Sequence, residues 1–136
     1  MSDFNTAIIE EFRAHGGQVG GPFRGAPMLL LHTTGARTGR ERVNPLVYAT
    51  DGDNYVVFGS KAGAPTHPDW FHNLVANPDV TIEVGTETVP RRARVAEGEE
   101  HERLWSRQKQ AMPGFADYEA GTTRRIPVVV LEPAGA

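Results

Sequence analysis

Thr33-Thr34-Gly35-Ala36-Arg37-Thr38-Gly39-Arg40, with Arg42 just beyond, is the part of the chain best equipped to hold an anion. Glycines let backbone N–H groups converge, threonine hydroxyls add donors, and guanidinium forks grip phosphate or carboxylate bidentately. Taken alone, the stretch reads equally as an exposed hairpin kept soluble by its arginines. Two further groups narrow the reading. Gly59-Ser60-Lys61-Ala62-Gly63 is a small-residue patch with one cation, where a planar ring can approach the backbone. Asp69-Trp70-Phe71-His72-Asn73 opens a helix whose N-terminus favours anions, with Trp70 and Asn73 one turn apart. Taken alone, Trp70 reads as a core residue. The conjunction of turn, strand end and Trp-x-x-Asn is far more specific than any one of them.

The chemistry that the residues do not supply is as informative. Five histidines form no HExxH, and the step from His67 to His72 misses the helical ligand spacing, so no metal site is expected. GxSxG, GxGxxG and Walker motifs are all missing. Ser60 and Lys61 are neighbours, and adjacent strand side chains point to opposite faces, which argues against a Ser-Lys nucleophile. With no cysteine, thiolate metal sites, disulfides and cysteine nucleophiles are excluded. If the protein is an enzyme, a cofactor must carry the hard chemistry.

The elements around these residues fit one domain of 136 residues, with 39% hydrophobic and 23% charged residues. A net charge of -3 favours neither nucleic acid nor an anionic membrane, and makes a local arginine cluster more informative. Phe4, Ile8 and Phe12 recur at helical spacing before Gly16-Gly17, so an amphipathic helix is expected, packed across its own barrel; a lid or a weak membrane-surface contact is the alternative. Residues 18–27 read as a loop and 1–20 as helix plus linker, leaving 21–136 as the main domain. Strands are expected from Met28, over Arg42 to Thr50, Tyr55 to Gly59, Val80 to Val84, Thr86 to Val95 (Pro90 at an edge or bulge), and Ile126 to Leu131. Asp51-Gly52-Asp53-Asn54 is a short hairpin turn. Helices are expected over Pro68 to Ala76 and Glu97 to Met112, with Pro113 to Gly121 a short aromatic segment. Six tightly joined strands predict an α+β fold of mostly antiparallel hairpins, closed into a barrel that leaves no free edges. The N-terminal segment has no apolar run long enough for a signal peptide, and the cytoplasm is the expected location.

The series T-T-G-A-R-T-G-R-E-R-V-N-P-L from Thr33, G-S-K-A-G from Gly59, P-D-W-F-H-N-L from Pro68, A-N-P at Ala76 and Y-E-A-G-T-T-R-R-I-P-V-V-V-L-E-P from Tyr118 resembles the deazaflavin-dependent nitroreductase family of actinobacteria. The resemblance implies a split β-barrel related to flavin-mononucleotide-binding oxidoreductases, and coenzyme F420, a 5-deazaflavin with a phospholactyl-polyglutamate tail. It also implies hydride transfer to quinone-like or nitroaromatic acceptors. Carried over by position, Arg37, Thr38, Gly39 and Arg42 contact the phosphate and acidic tail, with Arg40 standing in for the basic residue that Ala36 replaces. Asn44, Pro45, Ser60, Lys61, Trp70 and Asn73 line the ring and ribityl chain, with Val43, Phe58, Gly59 and Ala62 beside them. Tyr118, with Ser60 as a second donor, would be the catalytic hydrogen-bonding group. Val47, Phe115 and Gly121 stand where better-studied relatives carry tyrosines, which puts nitroimidazole reduction in doubt. The competing readings are a coenzyme-binding or storage protein with little turnover, and a split barrel that prefers flavin mononucleotide or haem. A homodimer is compatible with the fold.

Overall fold

Met-Leu-Leu-Leu from Met28 and Val-Val-Val-Leu from Val128 are continuous apolar runs, and a strand of that kind needs cover on both faces. A barrel with helices outside it provides both. The computed structural model describes residues 3–18, 27–60 and 66–134, with side chains from Thr6 onward. In chain order the elements are α1 (Asp3–Ala14), β1 (Met28–Thr34), β2 (Glu41–Asp51), β3 (Asn54–Phe58), α2 (Asp69–Ala76), β4 (Asp79–Val84), β5 (Glu87–Val95), α3 (Gly98–Ala111), α4 (Gly114–Ala120) and β6 (Val128–Pro133). The strands close in the order β1-β2-β3-β6-β5-β4, and every pairing is antiparallel.

The period of two along each strand sorts side chains into two cores. Leu29, Leu31, Val57, Ile82, Val129 and Leu131 fill the interior, and Trp70 and Leu74 of α2 plug one end. Outside, Ile8 and Phe12 of α1 pack on Met28 and Leu30. This is the packed-helix expectation; Phe4 lies outside the described side chains. Leu104, Trp105 and Phe115 of α3 and α4 cover Phe58, Val128 and Val130. Arg13 anchors α1 by a bidentate pair to Glu83, which also bonds His32, and the arginine holds the Glu83 carboxyl below the usual range.

Three expectations need adjustment. The segment after Pro113 is a helix, α4, because Phe115 supplies a buried anchor and the chain before it turns through Phe115 N–H to Met112 O. The last strand begins at Val128 instead of Ile126, since Ile126 and Pro127 serve as a buried lead-in whose carbonyls bond His101 and Gly59. Pro90 lies inside a closed barrel, yet β6 pairs with β5 only from Arg91 onward, so Pro90 has a strand partner on one side only. Most of the loop expected over residues 18–27 lies outside the described residues. Among the described residues, no helix is long and apolar enough to cross a membrane.

Candidate functional site

The basic turn links β1 to β2 at the barrel end that α2 plugs. It is closed by Gly35 N–H to Arg40 O at 2.7 Å and Gly39 N–H to Gly35 O at 2.9 Å. Gly39 has φ of 70°, a left-handed conformation that side chains disfavour. Asn73 of α2 docks the turn: its Oδ1 accepts from Ala36 N–H at 3.0 Å, and its Nδ2 donates to the buried Thr33 Oγ1 at 3.2 Å. The backbone N–H groups of Arg37 and Thr38 have no partner among the described residues.

The arginines of this turn differ from the other described cations. Arg13, Arg92, Arg94, Arg103, Arg125 and Lys109 each pair with a carboxylate. Arg91, Arg107 and Arg124 each donate to a backbone carbonyl. Arg37, Arg40 and Arg42 are exposed, and their guanidinium groups have no partner among the described residues. Arg42 sits opposite Thr33 in the ladder, which brings it beside the turn that Asn73 anchors. Three uncommitted guanidinium groups beside two free N–H groups form an anion cradle, and a group carrying phosphate and carboxylates fits it.

From the turn, β2 offers an open strip. Val43 through Ala49 are all half-buried, whereas Met28–Leu31 of β1 and Val56–Phe58 of β3 on either side are buried. Val47 packs against both the α1 and the α3–α4 clusters, so the outer face of β2 is the floor between two helical walls. Pairing puts Val43 and Pro45 opposite His32 and Leu30, and Asn44 opposite Leu31. Val43 and Pro45 therefore belong to the outer floor, and Asn44 to the inner face with Thr33 and Arg42.

Tyr118 stands on α4 at the edge of this floor, half-buried, its ring 5.3 Å from Phe115 in an edge-on contact. Its hydroxyl has no partner among the described residues. Glu119 beside it accepts from Trp105 Nε1 at 2.6 Å and Lys109 Nζ at 2.9 Å, which fixes α4 against α3. Phe58 and Trp70 are core residues in this structure, buried among Trp105 and Phe115 and inside the barrel end respectively. Ser60 is 7% exposed at the end of β3, while Lys61, Ala62 and Gly63 lie outside the described residues.

Gly59 is tightly enclosed: its N–H donates to Pro127 O at 2.9 Å, and a Cβ added there falls 2.6 Å from Pro127 Cγ. Gly59→Ala is expected to destabilise the fold by about 1–3 kcal/mol through overpacking against a rigid ring. A thermal melt checks this; an unchanged midpoint would mean that the strand end yields freely. Sequence reasoning also missed Arg124, whose guanidinium holds the carbonyls of Gly59 and Ser60. Its only sequence signal was a basic residue just ahead of the buried Ile126-Pro127.

Residues 6–133 match the family profile described as F420H(2)-dependent quinone reductase. An F420H(2)-dependent quinone reductase of Mycobacterium tuberculosis is 43% identical over 124 residues, covering 88% of this chain and 83% of that protein. The chain belongs to the F420H(2)-dependent quinone reductase family. Among solved structures, an F420-H2 dependent reductase (FDR-A) is 41% identical with TM-score 0.71, covering 78% of this chain and 94% of its own. A structure described as a domain-swapped dimer is 38% identical with TM-score 0.73 and covers 93% of both chains. The haem-storage protein HutZ of Vibrio cholerae, at 19% identity and TM-score 0.61, shares the fold alone. Family membership bears out the resemblance, the split barrel and coenzyme F420 as the cofactor.

Proposed function

We propose that this chain reduces quinones with reduced coenzyme F420, and that the turn Arg37–Arg42 holds the coenzyme's phosphate and acidic tail. The observation that carries this reading is the set of three arginines, two on the turn and Arg42 at the start of β2, whose guanidinium groups have no partner among the described residues, in a chain of net charge -3. A glutamate-bearing tail matches three guanidinium groups better than the single phosphate of flavin mononucleotide does.

When bound in reduced form, the coenzyme supplies the hydride. The protein's part is to bind, orient and shield. Arg37, Arg40 and Arg42 with the N–H groups of Arg37 and Thr38 fix the anionic end. Pro45 on the open strip of β2, with Asn44 at its inner face and Gly59 and Ser60 at the exit of β3, would flank the coenzyme's ring system. The apolar side chains of Val43 and Val47 limit water at the acceptor. Tyr118 presents a phenol donor toward an acceptor oxygen that gains negative charge as it is reduced, with Ser60 as a second donor. Val47, Phe115 and Gly121 bring no further phenols, so nitroimidazoles should be poor acceptors beside quinones.

Tyr118→Phe is expected to lower kcat about tenfold to a hundredfold while leaving coenzyme affinity within about twofold, in line with loss of one donor at a developing charge. Equal losses in both would contradict that role. The function itself is tested by mixing the protein with reduced F420 and menadione and following reoxidation. Reoxidation above the buffer rate supports the reductase; binding without turnover would favour a storage protein instead. We also propose that the chain pairs as a homodimer, because a solved structure 38% identical is described as a domain-swapped dimer; light scattering at low protein concentration decides it.

A further inference from the structure

Arg124 lies in the segment between α4 and β6, and its side chain reaches across 64 or 65 positions of sequence. Nη1 donates to Gly59 O at 3.0 Å and lies 2.9 Å from His67 Nδ1, and Nη2 donates to Ser60 O at 2.7 Å. These partners belong to the exit of β3 and to the residue just ahead of α2's first turn. Behind Arg124, the chain is tied back to α4: Arg124 N–H bonds Thr122 Oγ1, Thr122 N–H bonds Glu119 O, and Gly121 N–H bonds Tyr118 O. Arg124 thus joins three parts of the site: its backbone N–H ties it to the exit of the helix bearing Tyr118, and its guanidinium reaches the strand end bearing Ser60 and the start of the helix bearing Asn73.

The chemistry of the partners explains why arginine is used. Two successive carbonyls and an imidazole nitrogen form a set of acceptors that a planar fork spans and an ammonium does not. His67 must offer its Nδ1 lone pair, and burial, with Arg124 and then His72 adding to it, pushes the imidazole below its ordinary range, toward the neutral form that can accept. Holding the carbonyls of Gly59 and Ser60 from one side also fixes the orientation of the peptide units that precede Lys61.

We infer that Arg124 is a positioning residue that sets the Gly59–Ser60 wall of the coenzyme site in register with Tyr118 across the acceptor space. This rests on the proposed coenzyme site, and it goes beyond that site by coupling coenzyme position to acceptor position through a residue that need touch neither.

The test measures dissociation of oxidised F420 by fluorescence, kcat and KM with reduced F420 and menadione, and melting temperature, for Arg124→Met, Arg124→Lys, His67→Ala and Arg42→Ala. Arg125→Met, whose parent is exposed and paired with Glu102 at 3.7 Å, is the control. Arg124→Met is expected to weaken coenzyme binding about tenfold and lower kcat about tenfold, as loss of hydrogen bonds from a charged group implies. Arg124→Lys should recover the melting temperature but less than half of either loss on a logarithmic scale. His67→Ala removes one leg and should cost about threefold. Adding Ser60→Ala to Arg124→Met should cost less than Ser60→Ala alone, since both act through one wall. If Arg124→Met folds yet binds and turns over within about twofold of the parent, the inference is overturned. If it fails to fold, Arg124→Lys and His67→Ala decide by the same twofold criterion. Loss of F420 binding by the parent, or no effect of Arg42→Ala, would instead overturn the coenzyme site itself.

Discussion

Replacing Arg42 by alanine should weaken binding of oxidised F420 about tenfold at low salt, and Arg37→Ala with Arg42→Ala together about a hundredfold. A hydrogen bond to a charged group contributes about 1.5–3 kcal/mol before solvent screening, and each 1.4 kcal/mol is tenfold in affinity. Because these arginines are exposed, the lower end applies. Screening also makes the effect salt-dependent: raising ionic strength toward about 1 M should weaken the parent strongly and the double variant little. The melting temperature should hardly move, since neither guanidinium has a partner among the described residues to lose. Titration of each variant at two salt concentrations reads both expectations. A salt-independent loss would point to a structural role for these residues.

Asn73 should separate stability from binding. It is 8% exposed and satisfies two groups on the turn, Ala36 N–H and Thr33 Oγ1. Asn73→Leu removes both bonds and leaves a buried hydroxyl and an amide unpaired, a cost of about 2–4 kcal/mol. In a chain of this size that lowers the melting temperature by about 5–15 °C. Coenzyme binding should fall too, because the turn loses its anchor to α2. Asn73→Asp behaves differently. Its carboxylate still accepts from Ala36 N–H, and the Thr33 hydroxyl can reverse to become the donor, so most of the stability is retained. The added negative charge beside the anion cradle should nevertheless weaken F420 binding at least tenfold at low salt. A melt and a titration on both variants check this pair. Asn73→Asp binding as tightly as the parent would mean that the anion lies elsewhere.

Much of this arrangement is legible in the chain, for physical reasons that differ between residues. Ile8 and Phe12 announce α1 because a buried helix face must repeat with the helical period, and Gly52-Asp53 announces the β2–β3 hairpin because a two-residue link tolerates few other residues. The turn from Thr33 declares its donors in the sequence. What the sequence conceals is which of them are already occupied. Arg92 and Arg94 look as available as Arg37 and Arg42, but Asp79, Glu100 and Glu132 take up the first two across the barrel surface. Trp70 taken alone reads as a core residue and only the family resemblance sets it beside the ring; its place among Leu29, Leu31 and Leu74 follows once α2 plugs the barrel. The short α4 hides because Pro113 and Gly114 read as punctuation, and its stability comes from Phe115 and the Glu119 bonds to α3. Arg124 is invisible for the same reason: its partners are distant in sequence, and none of them carries a charge to advertise the contact.

The central claim, that the Arg37–Arg42 turn holds an acidic deazaflavin coenzyme, meets its most direct test in one competitive titration. The protein is titrated with oxidised F420 and with flavin mononucleotide under identical low-salt conditions, following ligand fluorescence. Saturable binding of F420, at least about tenfold tighter than that of flavin mononucleotide, is the predicted result. Tight binding of flavin mononucleotide with none of F420 would contradict it.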